Sequence, residues 1–148
     1  MSHITECEIQ VSDIPAFDKA CQDRGCELRR DQKTFKNYGG RRSPCDMAIV
    51  VLNDKKAYEA GLIKQPDGKY KIQVDNFDAY EGGGMVKAIG QDAGLLLQRY
   101  GINAAKSAAV KQGMQVREQV QADGSIKLTC EAKQFAFAQS GPGWGSGF

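Results

Sequence analysis

The strongest candidate for chemistry in this chain is a basic stretch, residues 29–46, with the sequence RRDQKTFKNYGGRRSPCD. It carries six cations against one acid, Asp31, before its final residue; the cations are Arg29, Arg30, Lys33, Lys36, Arg41 and Arg42. Clustered cations contact phosphates, and Phe35 and Tyr38 are residue types that stack on unpaired bases. Anion binding is therefore one hypothesis for this stretch, with nucleic acid and an acidic protein as equal alternatives for the ligand. A solvated loop that keeps a sheet edge soluble has much the same composition and is the commoner case.

Arg41 and Arg42 precede the run MAIVV, which is typical of a strand covered on both faces. We expect both arginines to lie in a solvent-exposed connection before that strand. Replacing both with alanine should then leave thermal stability nearly unchanged and weaken binding of any anionic partner.

The sequence gives little support for a metal site or for a nucleophilic cysteine. The five cysteines are odd in number and irregularly spaced, at positions 7, 21, 26, 45 and 130. Only Cys21 and Cys26 are close, and the single histidine, His3, lies near the N-terminus with no motif that joins it to a thiol. We therefore predict five reduced thiols, no metal and no cofactor, and no catalytic residue can be named.

The glycine-rich segment 81–94, EGGGMVKAIGQDAG, lacks the spacing and the Gly-Lys-Ser/Thr ending of phosphate loops. It is interpreted as a flexible entry to a helix. On that helix Arg99 and Tyr100 are expected to be a surface or partly buried arginine and a core tyrosine, with a binding role for Arg99 as the alternative. Gly90 and Gly94 each lower helix propensity by about 1 kcal/mol relative to alanine, which favours close packing of another backbone. A homo-oligomer is therefore one option.

The last sixteen residues, 133–148, end in GPGWGSGF, which holds four glycines and a proline. Such a segment forms no regular element at reasonable entropic cost, so a mobile tail is predicted. Trp144 and Phe148 are costly to leave in water, and spaced aromatics on a flexible peptide dock into apolar grooves. The hypothesis is that Trp144 anchors the tail on its own domain or on a neighbouring subunit; a tail with incidental aromatics is the alternative.

Composition places the chain among ordinary globular proteins. Its 148 residues are 41% hydrophobic and 26% charged, which predicts one domain, residues 1–132, followed by the tail. The net charge of +2 is too small for a wholesale polyanion binder. No apolar run approaches the roughly 18 residues of a membrane span, and the N-terminus lacks a signal sequence, so a cytoplasmic protein with no membrane partner is expected.

Hydrophobic periodicity predicts the elements that position these residues. HITECEIQV alternates as a half-buried strand with Cys7, Ile9 and Val11 inward, and a helix follows from Ser12 or Asp13 to about Gly25. Strands over CELRR and DMAIVVLN and a hairpin around Pro66-Asp67-Gly68 come next, then helical spacing from Met85 to Gly113 with a join near Gly101.

A closing hairpin is predicted around the turn 122–125, with an inner set of six side chains: Met114, Val116, Val120, Ile126, Leu128 and Cys130. The fold class is α+β: an antiparallel β-sheet with two or three helices packed on one face, ending in a β-hairpin.

Several segments together resemble a known family. They are the opening MSHIT, YGG…CD before an apolar strand, LLLQRYG, and KQGMQVREQVQADGSIKL. They are similar to the chloroplast reading frame "thirty-five" family, a domain of unknown function of cyanobacteria, plastids and large bacteriophages. The resemblance covers about residues 1–131, and its most specific pieces are Gln98-Arg99-Tyr100, Gln112-Gly113 and Asp123-Gly124. It implies an α+β fold and brings no activity, substrate or cofactor.

The chain departs from that family in two places. Members have a Trp-Gly segment after the central hairpin, where this chain has DNFDAYEGGG, and they end near the last strand. From the sequence we expect a non-enzymatic cytosolic binding or adaptor module, acting on a protein partner through the basic stretch and the tail. A nucleic-acid-binding accessory protein that uses residues 29–42 is the second hypothesis, and an enzyme of unrecognised type is the third.

Overall fold

Residues 4–76 and 83–132 are described by the computed structural model of the chain. The chain divides into two compact units, Met1–Ala104 and Ala105–Phe148. The described strands and α-helices are, in order, β1 Ile4–Val11, α1 Ile14–Asp23, β2 Cys26–Arg29, β3 Thr34–Lys36, β4 Arg42–Pro44, β5 Met47–Val51, β6 Ala60–Lys64, β7 Tyr70–Asp75, α2 Gly84–Ile89, α3 Gly94–Lys111, β8 Met114–Val120 and β9 Ile126–Ala132.

The first unit is built on a five-stranded antiparallel sheet with the order β1-β7-β6-β5-β2. The predicted hairpin at residues 66–68 joins β6 to β7. Gln65 N–H donates to Lys69 O over 2.7 Å, and Gly68 has a φ of +87°, which glycine adopts without strain. The alternating pattern of Tyr70, Ile72 and Val74 faces the main core, as the sequence predicts.

One face of the sheet is covered by the three helices. Phe17 of α1 and Tyr100 of α3 meet edge to face, with ring centroids 5.8 Å apart. The Tyr100 hydroxyl also accepts the backbone N–H groups of Ser12 and Asp13, which fixes the start of α1. These contacts confirm the α+β fold class, with a core to which sheet and helices both contribute: Val11, Leu28, Ile49, Leu62 and Ile72 from the sheet, and Phe17, Met85, Ile89, Leu96 and Tyr100 from the helices.

The opposite face carries a smaller cluster, which contains Ala48 of β5 and Ile63 of β6. Ile49, the neighbour of Ala48, points to the helices. This confirms the prediction that the apolar run of β5 is covered on both faces.

The prediction that Ile9 points inward is wrong. Glu6 pairs with Gln73 and Gln10 with Lys71, so three residues of β1 oppose one residue of β7 between these pairs. This β-bulge interrupts the alternation. Cys7 and Val11 are buried as expected, whereas 57% of Ile9 is exposed.

The join in the helical region lies earlier than the sequence indicates. α3 continues through Gly101, and the interruption is a 3₁₀ turn at Gln91–Ala93. Gly90 has a φ of +87°, and a Cβ there would lie 2.8 Å from Leu95 N, so glycine is required locally. A Cβ at Gly94 would have no described neighbour within 4 Å, so the expected close backbone packing is not found there.

The second unit contains the hairpin β8–β9, paired in register from Met114↔Ala132 to Val120↔Ile126. At the predicted turn Asp123 accepts hydrogen bonds from Ser125, which lower the pKa of this carboxyl. The prediction that six side chains of this hairpin form a buried inner face is wrong. Among the described residues none of the six is buried, and 72% of Val120 is exposed.

Candidate anion-binding cleft

The basic stretch forms a short β-ribbon, β3–β4, where the sequence predicted a loop. Thr34 pairs with Pro44, Phe35 with Ser43 and Lys36 with Arg42. A 3₁₀ turn at Tyr38–Gly40 closes the ribbon, with Gly39 and Gly40 at φ values of +70° and +75° that favour glycine. Arg42 therefore lies in strand β4, and the expectation that it belongs to a connection is wrong.

Phe35 attaches the ribbon to the second face of the sheet. Its side chain is fully buried in the cluster with Cys45, Ala48 and Ile63. Gly61 of β6 makes room for the ring, because a Cβ at this position would lie 2.5 Å from Phe35 Cδ1. The idea that Phe35 stacks on bases is therefore wrong.

Tyr38 is half-buried and packs against the main core. Its backbone N–H donates to the Asp75 carboxylate over 3.2 Å. The Tyr38 ring, which the sequence suggested for stacking on bases, is thus partly used in packing against the core.

Glu59, which precedes β6, connects the ribbon to the sheet. Its Oε1 accepts hydrogen bonds from the Lys36 backbone N–H and Gln32 Nε2, each 2.9 Å long. It also accepts a longer bond, 3.3 Å, from Arg42 Nη2. The side chain is only 15% exposed, so one partly buried carboxylate fixes both strands of the ribbon.

A cleft with a volume of about 600 Å³ lies between the ribbon and the end of β5. Arg29 of β2, Lys36 of β3 and Lys55 of the β5–β6 connection contribute its cations. Val50 and the exposed Leu52 supply an apolar floor. Residues distant in sequence thus form one basic, partly apolar cleft.

The cations that line the cleft have more hydrogen-bond donors than their contacts within the protein use. Arg29 Nε donates to Glu27 over 2.6 Å, which raises the pKa of the arginine and leaves its terminal N–H groups for a ligand. The Lys36 ammonium makes one hydrogen bond, to Lys55 O at 2.9 Å, and an ammonium has three donors. No described group pairs with the Lys55 side chain.

The carboxylates that line the cleft are already occupied. Asp54 Oδ1 accepts the backbone N–H groups of Lys56 and Ala57, and Glu59 holds the ribbon. The cleft therefore offers hydrogen-bond donors to a ligand, and an anionic group with an apolar neighbour would match it.

The other predicted cations lie around the ribbon. Arg30 pairs with Asp18 of α1 at 3.2 Å, and Lys33 donates to the carbonyls of Arg30 and Asp46. Arg41 is exposed at the tip, where its side chain bonds to no described residue. None of these three cations is among the residues that line the cleft.

Two predicted site residues lie elsewhere. Arg99 is a half-buried residue of α3, away from the residues that line the cleft. Trp144, and with it the predicted tail, lies outside the described residues.

Sequence analysis missed Lys55, Glu59 and Gly61. No spacing rule links them to the basic stretch, since their role depends on how β6 aligns with a ribbon on the opposite face. The alternation around Leu62 places Gly61 on that face, and this was the one available signal.

All five thiols are free, and four of them are buried. Burial raises the pKa of Cys7, Cys26 and Cys45 to about 11 each, and it raises the pKa of Cys21 as well. Within residues 4–76 and 83–132, no group of three potential ligands could hold a metal ion.

No family model, curated protein or solved structure matches the chain. Among the described helices, none is both long and apolar enough to cross a membrane.

Proposed function

We propose that the chain is a non-enzymatic binding module that takes an acidic segment of a partner protein in the ribbon cleft. The observation that carries the proposal is the convergence of Arg29, Lys36 and Lys55 over the apolar floor of Val50 and Leu52. A carboxylate of the partner accepts from the free donors, and an adjacent apolar side chain covers Leu52.

A protein segment fits this cleft better than a nucleic acid strand. Non-specific strand binding combines cations with aromatic rings that stack on bases. Here Phe35 is fully buried and Tyr38 is half-buried against the core. The apolar floor has no counterpart in a phosphate backbone, whereas an acidic peptide with leucine-like side chains satisfies both parts of the cleft.

The state of the thiols supports a binding role in a reducing compartment. A cysteine nucleophile requires thiolate, and the raised pKa values of the buried thiols keep them protonated at neutral pH. Five free thiols are typical of a protein in the reducing cytosol.

Four expectations from the sequence stay predictions. They are the resemblance to the chloroplast reading frame "thirty-five" family, the domain boundary at 132, docking by Trp144 and a homo-oligomer.

The proposal is tested with the full chain and three fluorescent probes. They are a peptide in which Glu and Leu alternate, one in which Glu and Ser alternate, and an oligothymidylate. We expect saturable binding of the Glu-Leu peptide and weaker binding of the Glu-Ser peptide. The double variant Lys36→Ala/Lys55→Ala should weaken the Glu-Leu complex by about tenfold or more.

The matched control is Lys64→Ala/Lys69→Ala, which removes the same charge from exposed positions at the β6–β7 turn. It should change the affinity by less than about twofold, because solvent screens distant charges. Equal losses of affinity in both double variants would show a general charge effect and would contradict binding in the cleft. Tightest binding to the oligothymidylate, with steep salt dependence, would favour nucleic acid instead.

A further inference from the structure

A second groove, with a volume of about 700 Å³, lies in the first unit between β1 and residues 91–98. Its apolar part comes from Cys7 and Ile9 of β1 and from Leu97 of α3. Among the residues that the structure describes, no cation lines it, whereas two carboxylates do, Glu6 and Asp92. It shares no residue with the ribbon cleft and differs from it in charge.

The groove opens along an edge of the sheet. β1 is the terminal strand, and among the described residues only β7 pairs with it. No residue of β7 lines the groove, whereas three consecutive residues of β1, whose side chains alternate between the two faces of the sheet, all line it: Thr5, Glu6 and Cys7. An edge strand has one row of backbone N–H and C=O groups without a strand partner, and such rows pair with extended peptides.

The bulge in β1 supplies the apolar anchor. Because the pairing with β7 is interrupted between Glu6 and Gln10, Ile9 turns out of the core and is 57% exposed at the groove. Leu97 faces it from α3 and is 9% exposed. A bulge beside a groove redirects a side chain at the cost of regular pairing.

The opposite wall is held in a costly backbone conformation. Asp92 and Ala93 have φ values of +53° and +61°, in a left-handed region that residues other than glycine adopt at a cost in free energy. Two contacts fix Asp92: Cys7 Sγ donates to its carbonyl over 3.1 Å, and Asn76 Nδ2 donates to its Oδ1 over 2.6 Å. Strain of this kind concentrates at ligand-binding sites.

The charges of the groove indicate the chemistry of its occupant. Glu6 is partly balanced by Lys71, whose Nζ lies 3.7 Å away. Asp92 receives neutral donors, from Asn76, and no ion pair of the described residues includes it. Within the described part of the chain, the groove thus keeps one negative charge without an ion-pair partner beside an apolar surface.

We propose that this groove binds an extended segment of a second protein that carries alternating apolar residues and a lysine or arginine. The segment adds as a strand to the outer edge of β1 near Ile4–Glu6. One of its apolar side chains packs between Ile9 and Leu97, and its cation reaches Asp92. With the ribbon cleft, the chain would then join an acidic segment to a basic one.

A second copy of β1 is a poor occupant by comparison. The strand sequence ITECEIQV contains two glutamates and no cation. Antiparallel pairing of two such strands places like charges near each other, which is destabilising. Charge therefore favours a basic partner over self-association through this edge.

The test uses the full chain and a rhodamine-labelled peptide in which Lys and Val alternate, with Lys-Ser and Glu-Val peptides as controls. We expect the Lys-Val peptide to bind saturably and at least about tenfold more tightly than either control. Hydrogen exchange of the β1 amides should slow in its complex, because strand addition protects them.

Two variants locate the site. Ile9→Ser should weaken Lys-Val binding by about fivefold or more, and Asp92→Asn, which keeps an acceptor for Asn76, should remove the preference for lysine. Val120→Ser is the matched control, since Val120 is an exposed apolar strand residue of the other unit. The proposal fails if Lys-Val and Lys-Ser bind alike, if β1 exchange is unchanged, or if Ile9→Ser and Val120→Ser have equal effects.

Discussion

The two β-ribbons of this chain, β3–β4 and β8–β9, behave in opposite ways. The first has strands of three residues, and its central Phe35 is fully buried. The second has strands of seven residues with a clear apolar alternation, yet none of its described side chains is buried. Strand length and apolar periodicity predict that the second ribbon buries its side chains, whereas the buried side chain is found in the first.

The difference lies in what each ribbon packs against. Two-stranded ribbons are marginal in water unless another surface covers one face. β3–β4 lies on the sheet, where Gly61 leaves space for Phe35 and Glu59 bonds to both strands. Apart from its own strand pairing, β8–β9 shows Lys106 paired with Glu118 at 2.7 Å within the second unit. We therefore expect the short ribbon with one buried ring to be held more firmly than the long ribbon without one.

The largest expected effect comes from truncating the buried ring. Phe35→Ala should lower the free energy of unfolding by about 3–5 kcal/mol, because it empties the cluster under the ribbon. Val120→Ala, at the 72% exposed position of β8, should change it by less than about 0.5 kcal/mol. Urea denaturation of both variants measures the difference, and similar losses would show that the two ribbons are equally anchored.

Thiol labelling compares the ribbons without substitution. Cys45 is buried under β3–β4 and its pKa is raised to about 11, whereas Cys130 is exposed on β9. A rise of two pKa units lowers the thiolate fraction about 100-fold at neutral pH, so one thiol should react fast and four slowly. Mass spectrometry during labelling counts them, and two or more fast thiols would contradict the burial.

The same pKa shift gives a pH dependence. The folded-state pKa of Cys45 exceeds that of the unfolded thiol, so its burial contributes fully below about pH 9 and is lost as pH rises through 11. Cys7 and Cys26 act in the same direction. The melting temperature should therefore fall across this window, and Cys45→Ala should reduce the slope of that fall.

The space above Gly61 gives the next effect. Gly61→Ala places a Cβ against Phe35 and Cys45 and should cost about 1–3 kcal/mol through overpacking. The double variant Gly61→Ala/Phe35→Leu should lose less than the sum of the two single variants, because the smaller side chain relieves the clash. Gly124→Ala, in the turn of the second ribbon, is the contrasting substitution, because a Cβ at Gly124 meets nothing within 4 Å and its cost comes from the φ of +88° alone. Full additivity of the Gly61 and Phe35 substitutions would refute the proposed contact.

Glu59 gives a smaller and graded effect. Glu59→Ala removes the acceptor of the Lys36 N–H and one of the two acceptors of Gln32 Nε2, which also donates to Thr34 O, and should cost about 1–3 kcal/mol. Glu59→Gln keeps an acceptor oxygen and loses only the charge that faces Arg42, so it should cost less. Denaturation of both variants gives the order, and equal losses would mean that the charge matters more than the two neutral hydrogen bonds.

These contrasts show where sequence reasoning succeeds and fails. Alternation correctly predicts β6, β7 and the turn between them, because these two strands follow one another in the chain and pair with each other. Alternation fails for Ile9, which a bulge turns outward. The stacking role predicted for Phe35 from its cationic neighbours fails because the burial of this ring depends on a glycine in a later strand. Arg29 and Lys36 of the cleft are visible as cations, whereas Lys55 joins them only through the fold.

The smallest expected effect divides two arginines that look equivalent in sequence. Arg42 donates to Thr34 Oγ1 at 2.9 Å and lies 3.3 Å from Glu59, but its side chain is 47% exposed, so Arg42→Ala should cost about 0.5–1 kcal/mol. Arg41→Ala should cost less than about 0.3 kcal/mol, because the exposed Arg41 side chain bonds to no described residue. Melting temperatures of the single and double variants decide this, since a shift of a few degrees should follow Arg42 alone. A larger loss for Arg41→Ala would mean that the tip of β3–β4 is held by contacts of this arginine, and the firm anchoring of the first ribbon could then not be credited to Phe35 and Glu59 alone.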